Sequence, residues 1–416
     1  MSPAVASLLA LLVAIALSVT SRLNVGVLAM VFAWIIGTTM AGLAPEQVAA
    51  GFPTSLFLTL TGVTLLFALA EENGTLERVA HRAMRLARGN ARVVPVLLFC
   101  IAFALSSIGP GAISTVALLA PLAMAIGVRA GVPAFLVALV VANGANAGNL
   151  SPVSTVGMIA NTRMTEAGIG GHEGKVWLAN LLAHALVAAA AYVLLGGHRL
   201  ARAAAPDAAP MPHATFERRH VLTLAVVGTW IVAVVGFQLS VGMAAFAAAS
   251  VLVLAKAADE TAALKRMPWG VIVMVCGVTV LIALLERTGG MALFTALLAR
   301  LATPATVNGV VAFVTGLIST WSSTAGVVLP AFLPTVPGLV AQVGGGDPLA
   351  VALSINVGGS MVDVSPLSTL GALCVAAVAD PAQARVLFRQ LLTWGLSMSV
   401  VAAVLCQLFA GLLARA

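Results

Sequence analysis

The sequence has few charged residues for its length. Only 8% of its 416 residues are Asp, Glu, Lys or Arg, whereas 61% are hydrophobic. Soluble domains carry about 25% charged residues, which cover their surface, so this composition excludes a soluble globular domain. The chain is therefore predicted to be an all-α polytopic membrane protein.

Cysteines and catalytic motifs are equally scarce. The four cysteines lie in apolar segments without CxxC or His spacing, so the sequence predicts no disulfide and no zinc site. We find no HExxH, no GxSxG and no paired acids at catalytic spacing, which argues against an enzyme. No basic residue precedes the apolar run Ala4 to Val19, which favours a retained span over a cleaved signal peptide.

A basic surface for nucleic acid is also missing. The formal net charge is +7, but the Lys and Arg residues lie between apolar spans, without interleaved aromatics. This distribution indicates membrane orientation and no nucleic-acid partner.

A polar phrase occurs twice within the apolar sequence. Residues Asn143 to Gly157 and Asn356 to Gly371 both end in Ser-Pro-x-Ser-Thr-x-Gly. Each phrase follows about ten apolar residues, which at ~1.5 Å per residue reach only halfway through a ~30 Å hydrocarbon layer. Interrupted helices at corresponding depths of two halves are typical of a transporter's binding site.

The elements before and after these phrases have the same order in each half. The first half is predicted to contain spans at Ala4–Val19, Val25–Leu43 and Phe52–Ala70, an interfacial helix at Thr75–Gly89, a re-entrant hairpin (Val93–Leu105, Ala112–Ile126), the interrupted segment Val132–Ala160 and a span at Val176–Leu195. The second half is predicted to contain spans at Val221–Phe237, Val241–Ala255 and Val271–Leu285, a helix at Met291–Leu301, a hairpin (Val307–Ile318, Val327–Val340), the second interrupted segment and a span at Val386–Leu413.

The two halves are predicted to be inverted repeats. Gly62 to Gly74 aligns with Gly277 to Gly289, and each half crosses the membrane five times if a hairpin counts as no crossing. Because five is odd, the halves enter from opposite sides. The predicted units are residues 1–195, a cytoplasmic linker at 196–220 and residues 221–416. Of the 21 Lys and Arg residues, 16 fall on one side, which the positive-inside rule makes cytoplasmic, with both termini outside.

These features resemble the ion transporter superfamily. The hairpins with Ser/Thr-rich tips and the interrupted helices are similar to divalent-anion/sodium symporters, and the Ser-Pro-x-Ser-Thr phrases resemble MatC-type malonate and dicarboxylate carriers. The resemblance covers the whole chain. It implies a sodium-coupled transporter for malonate-, succinate-, malate- or citrate-type substrates, which acts as a homodimer in a bacterial-type inner membrane. It also implies that Ser106-Ser107 and Ser322-Ser323-Thr324 are the hairpin tips, and that Asn143–Thr155 and Asn356–Thr369 are unwound.

The candidate site residues follow from these positions. The candidates for substrate binding are Ser107, Asn146, Ser151, Ser154, Thr155, Ser323, Thr324, Ser365, Ser368 and Thr369. The candidates for sodium binding are Ser106, Asn143, Gly148, Asn149, Thr320, Asn356, Gly358, Ser360 and Asp363. Since no Lys or Arg is predicted at midplane depth, helix N-termini, backbone N–H groups and hydroxyls have to hold the anion. No other cofactor is predicted.

Several alternatives remain open at this point. Asp363 is the only carboxylate in either phrase, its counterpart being Asn149, and it could bind sodium, carry a proton or serve as a structural hydrogen-bond partner. His184 could relay protons or simply pack within its span. A proton-coupled carboxylate transporter, a sodium/proton antiporter and an oxyanion exporter are alternatives to sodium-coupled uptake.

Overall fold

The computed structural model describes residues 1–20, 23–84, 90–200, 216–237, 239–267, 269–320, 323–378 and 380–416, and these residues form helices and no strand. The helices of the first half are α1 (Pro3–Thr20), α2 (Val25–Thr39), α3 (Pro45–Ala49), α4 (Thr54–Glu72), α5 (Thr75–Met84), α6 (Val93–Ser107), α7 (Gly111–Arg129), α8 (Ala134–Asn149), α9 (Thr155–Glu166) and α10 (Glu173–Leu194). Those of the second half are α11 (Arg218–Phe237), α12 (Val241–Leu254), α13 (Glu260–Arg266), α14 (Trp269–Arg287), α15 (Gly290–Ala299), α16 (Val307–Ser319), α17 (Leu329–Phe332), α18 (Val336–Val343), α19 (Pro348–Met361), α20 (Thr369–Ala376) and α21 (Pro381–Arg415).

Two helical hairpins lie at corresponding places of the halves. In hairpin 1, α6 packs against α7. Hairpin 2 consists of α16 and a second arm, residues 324–343, in which a π-helical turn (Thr324–Val328) and a 3₁₀ turn (Leu333–Thr335) flank α17. Prolines 330, 334 and 337 interrupt the regular α-helix in this arm, because proline has no backbone N–H to donate to a carbonyl of the preceding turn. Trp321 and Ser322 of the predicted second tip lie outside the described residues.

Each predicted apolar segment coincides with a helix or an interrupted helix, with shifted ends. The helix α2 ends at Thr39, four residues before the predicted end at Leu43. Residues 40–44 connect it to the short helix α3, which was not predicted from the sequence. Its equivalent α13 was also missed. The amphipathic helix α5 is described only to Met84, so Arg85 and Arg88 of the prediction lie outside the described part, as does most of the linker 196–220.

Within the described residues, three helices are long and apolar enough on their own to cross a bilayer: Glu173–Leu194, Thr324–Val343 and Ala382–Arg415. A fourth candidate is the pair Ile272–Arg287 and Gly290–Ala299, which is bent by 93°. Eight further apolar helices have 10–17 residues. The all-helical, apolar architecture is that of a polytopic membrane protein; the number of crossings stays a prediction.

Glycines allow two close helix crossings between the halves. On α2 and α14, a Cβ at Gly277 would collide with the backbone of Gly26. On α4 and α12, a Cβ at Gly62 would collide with the backbone of Gly242. Small residues let apolar helices approach closely where lipid removes the hydrophobic driving force between them. The first crossing joins α2 to α14 and the second joins α4 to α12, and α4 also contacts α14. We call these four helices the scaffold.

Candidate functional site

Each polar phrase forms a short break between two helices. The first break comprises residues 150–154 between α8 and α9. Ser154 caps α9 by accepting from Gly157 N at 3.2 Å, and its hydroxyl donates within the break to Asn149 O. A Cβ on Gly157 would collide with Ser151 O, so glycine is required there. The phrase Ser-Pro-x-Ser-Thr-x-Gly therefore encodes a braced turn followed by a helix N-terminus.

The second phrase builds the same turn between α19 and α20. The Ser368 hydroxyl donates to Asp363 O, and it lies 2.9 Å from Ser365 O. A Cβ on Gly371 would meet Ser365 O, as at Gly157 of the first break. The hydroxyls of Ser154 and Ser368, both predicted to bind substrate, thus have their hydrogens directed at the protein backbone. Substrate binding by these two serines stays a prediction, and it requires the hydroxyl hydrogens to turn from the backbone carbonyls to the carboxylate.

The structure corrects the limits of both breaks. Residues 143–149 and 356–361 were predicted to be unwound, but they belong to α8 and α19. The reason is close packing: a Cβ at Gly148 would meet the backbone at Phe103 and Ser107 of α6, and one at Gly358 would meet Ala312 of α16. Both glycines therefore have packing roles, and the carbonyl of Gly148 also accepts from Ser151 N at 3.0 Å. Sodium binding by the two carbonyls stays a prediction.

Hairpin 1 is fixed to the first break by four hydrogen bonds. Ser151 Oγ donates to Ser107 O at 2.7 Å, and Ala112 N donates to Asn149 Oδ1 at 2.9 Å. Thr155 donates to Gly109 O from its backbone N at 3.3 Å and from its hydroxyl at 3.2 Å. The turn needs glycine, since Gly109 and Gly111 have φ of +146° and +75°. Asn149 therefore has its oxygen satisfied by the backbone at the start of α7.

Hairpin 2 meets the second break in a cluster of oxygens. Thr324 Oγ1 lies 3.0 Å from each carboxylate oxygen of Asp363 and 3.1 Å from Gly359 O, and it also contacts Ser319 Oγ. A hydroxyl has a single hydrogen, so Thr324 can donate to only one of these acceptors. Ser323 instead caps the arm by accepting from Gly326 N at 3.0 Å. This cluster has more acceptors than donors, the composition that a hard cation requires.

The two broken helices are joined by a buried polar network. Asn146 Nδ2 donates to Ser360 O at 3.1 Å, and Asn180 Nδ2 of α10 donates to Asn146 O at 2.5 Å. Ser360 Oγ donates to Asn180 Oδ1 at 2.8 Å. His184 bridges Asn143 Oδ1 at 3.0 Å and Ser360 Oγ at 3.2 Å. All five side chains are at most 1% exposed, so the network fixes α8 and α19 against each other through α10.

Some buried polar atoms near the breaks have no hydrogen-bond partner among the described residues. They are Ser106 Oγ, Ser107 Oγ, Thr115 Oγ1, Asn146 Oδ1 and Asn356 Oδ1. Leaving such groups unpaired costs about 1–3 kcal/mol each, so these atoms require a polar partner, either water or a ligand. Thr115 was not singled out from the sequence, although it lies one turn after the tip of hairpin 1.

The remaining predicted residues make local hydrogen bonds or are exposed. Thr320 Oγ1 donates to Gly316 O and Asn356 Nδ2 to Ala352 O, both within their own helices. Thr369 is exposed at the start of α20, and Ser365 Oγ accepts from Leu367 N within the break. A cavity of about 570 Å³ between α10, α19 and α21 has an apolar lining and does not suit a carboxylate.

The N-terminal part of the chain has a recognisable relative. Residues 1–149 match the family model described as the dicarboxylate carrier protein MatC N-terminus. This part of the chain is similar to MatC. The matched region ends at Asn149, so it contains hairpin 1 and α8 but neither Asp363 nor hairpin 2. No curated protein shows significant similarity to the chain. The resemblance to MatC supports a dicarboxylate carrier rather than an enzyme.

Proposed function

We propose that the protein is a secondary active transporter that takes up small di- or tricarboxylates with sodium. The observation that carries this proposal is that Ser106 Oγ and Ser107 Oγ at the tip of hairpin 1 are buried without a hydrogen-bond partner among the described residues. Hydroxyls can donate to a carboxylate, and the N-termini of α7 and α9 start beside them. The similarity of residues 1–149 to MatC agrees with a carboxylate as the ligand.

Sodium is proposed to bind at the oxygen cluster of hairpin 2. Asp363, Thr324, Ser319 and the carbonyl of Gly359 supply only oxygen donors, and no basic side chain bonds to Asp363 within the described structure. A bound sodium ion would neutralise the carboxylate charge of Asp363 and so remove its repulsion of the anionic substrate. Asn149, the equivalent residue in the first half, already accepts from Ala112 N, so we assign one cation site to the second half.

Alternating access is proposed to occur by movement of the hairpins and broken helices against the scaffold. The two halves contact the scaffold differently. The helix α9 packs against α4, but its equivalent α20 makes at most marginal contact with α14 among the described residues. Likewise, the second arm of hairpin 2 packs against α14, but its equivalent α7 makes at most marginal contact with α4. In the proposed inverted topology, the structure is thus closed on the outer side. The opposite state would exchange these contacts.

The function is tested by uptake into proteoliposomes. Radiolabelled malonate, succinate and citrate are offered at fixed pH with an inward sodium gradient, and sodium is replaced by choline in the control. We expect accumulation of at least one carboxylate only with sodium. Undiminished accumulation in choline would overturn sodium coupling and favour the proton-coupled alternative. Absence of any carboxylate flux, with sodium/proton exchange instead, would favour the antiporter.

The inverted topology is tested by cysteine labelling. Arg92 precedes hairpin 1, Pro304 precedes hairpin 2, and both are exposed. With the native cysteines replaced, Arg92→Cys should react with an impermeant maleimide only from the cytoplasmic side, and Pro304→Cys only from outside. Labelling of both from one side would contradict the five-crossing repeat. The homodimer and the inner-membrane location stay predictions from the resemblance.

A further inference from the structure

Arg163 lies inside the protein, although the predicted segments Val132–Ala160 and Val176–Leu195 leave it in the loop between them. It belongs to the last turn of α9 and is only 5% exposed. The equivalent position in the second half is Ala377, so the two-fold pattern of the site does not account for this arginine. A guanidinium buried without complete pairing is destabilising, which makes its surroundings informative.

The guanidinium of Arg163 is only partly used by the protein. Its Nη1 donates to Glu166 Oε2 at 2.7 Å. Its Nε and Nη2 are buried and have no hydrogen-bond partner among the described residues. These two nitrogens form one edge of the planar guanidinium, and their parallel N–H groups match the two oxygens of a carboxylate. Glu166 thus holds the arginine while the edge that can bind a carboxylate remains free.

The position of Arg163 separates it from the breaks. Arg163 lies eight positions after Thr155 in α9, which corresponds to about 12 Å along the helix axis. The bond of Nη1 to Glu166, three residues further along α9, directs the guanidinium away from the first break, so a small dicarboxylate bound at the break does not reach it. The scaffold helix α14 contributes Glu286 and Cys276, which lie near enough to interact electrostatically with Arg163. Arg163 therefore lies on the part of α9 that is close to the scaffold.

We propose that Arg163 is a second carboxylate site, which binds one carboxylate group of the substrate before the substrate reaches the breaks. This inference rests on the proposed function. Movement of α9 away from the scaffold exposes the Nε and Nη2 edge to the entering anion. In the closed arrangement, the carboxylate of Glu286 acts electrostatically on the same guanidinium and competes with the substrate carboxylate.

Two substitutions of Arg163 test this site through the kinetics of uptake. Arg163→Gln should raise the KM for external carboxylate by about tenfold or more, since a charge-assisted bidentate contact is lost. Arg163→Lys keeps the charge but loses the paired N–H groups of the planar guanidinium, so we expect a smaller rise in KM, about threefold. The kcat should change little, because the substrate has left Arg163 before the rate-determining movement, so the loss falls on the capture of substrate and therefore on kcat/KM. Arg300→Gln removes an exposed positive charge at the end of α15 and should leave the KM unchanged.

Glu286→Gln distinguishes binding from a structural ion pair. If Arg163 binds substrate, removal of the competing carboxylate should lower the KM, the opposite sign to Arg163→Gln. If Arg163 only pairs with Glu286, both variants should impair folding or uptake in the same direction. An equal KM in wild type and Arg163→Gln, or a raised KM in Glu286→Gln, would overturn the inference. A wild type without carboxylate uptake would instead refute the proposed function.

Discussion

Asp363→Asn is expected to raise the sodium concentration for half-maximal uptake by about tenfold to hundredfold, the effect of losing a charged ligand worth about 1.5–3 kcal/mol. The two oxygens of Asp363 and the carbonyl of Gly359 surround a single hydroxyl, that of Thr324. The variant replaces a charged oxygen with a neutral amide, so the cluster loses its only negative charge. The measurement is uptake of the best substrate as a function of sodium at fixed pH.

Asp380→Asn is the matched control for loss of a carboxylate. Asp380 Oδ1 accepts from Ala382 N at 2.9 Å as the N-cap of α21, and asparagine caps helices equally well. Its sodium dependence should equal that of the wild type. If Asp363→Asn also behaves like the wild type, Asp363 does not bind the coupling ion. A variant that still exchanges substrate but loses accumulation driven by a pH gradient would identify Asp363 as a proton carrier.

The hairpins and breaks were predictable because their signals are local. Glycine, proline and hydroxyl residues within apolar runs mark positions where a helix is interrupted. The ends of the breaks were not predictable from the same signals. Asn143, Gly144 and Gly148 are poor helix formers, but α8 continues through them because Gly144 and Gly148 let α6 approach closely at Phe99 and Phe103. Tertiary packing here overrides intrinsic propensity.

The roles of buried charges and polar groups were less accessible from the sequence. Arg163 looked like a loop residue because the positive-inside rule counts charges between spans and contains no information on burial. The partners of His184 come from α8 and α19, which are 41 and 176 residues away in sequence. Its two hydrogen bonds agree with the packing interpretation, whereas a role in proton transfer stays untested. The asymmetry between Asn149 and Asp363 was visible in the sequence, but the four oxygens around Thr324 were not.

The serines of hairpin 1 and of the first break allow substrate binding to be separated from stability. Ser107 Oγ is buried without a partner among the described residues, so its removal should leave the stability unchanged or raise it. If this hydroxyl donates to the substrate, Ser107→Ala should weaken carboxylate binding by about tenfold to hundredfold. Binding is measured by titration of the purified protein with the transported carboxylate in saturating sodium, and stability by thermal unfolding without substrate.

Ser154→Ala provides the comparison, because this hydroxyl caps α9 and donates to Asn149 O. Its loss should lower the free energy of unfolding by about 1 kcal/mol, the typical contribution of an N-cap. Any loss of affinity in this variant would arise together with the destabilised break. Only Ser107→Ala should reduce affinity without reducing stability, since its hydroxyl has a role only when the substrate is bound. Unchanged affinity in Ser107→Ala would remove hairpin 1 from the carboxylate site and leave its unpaired oxygens without a ligand.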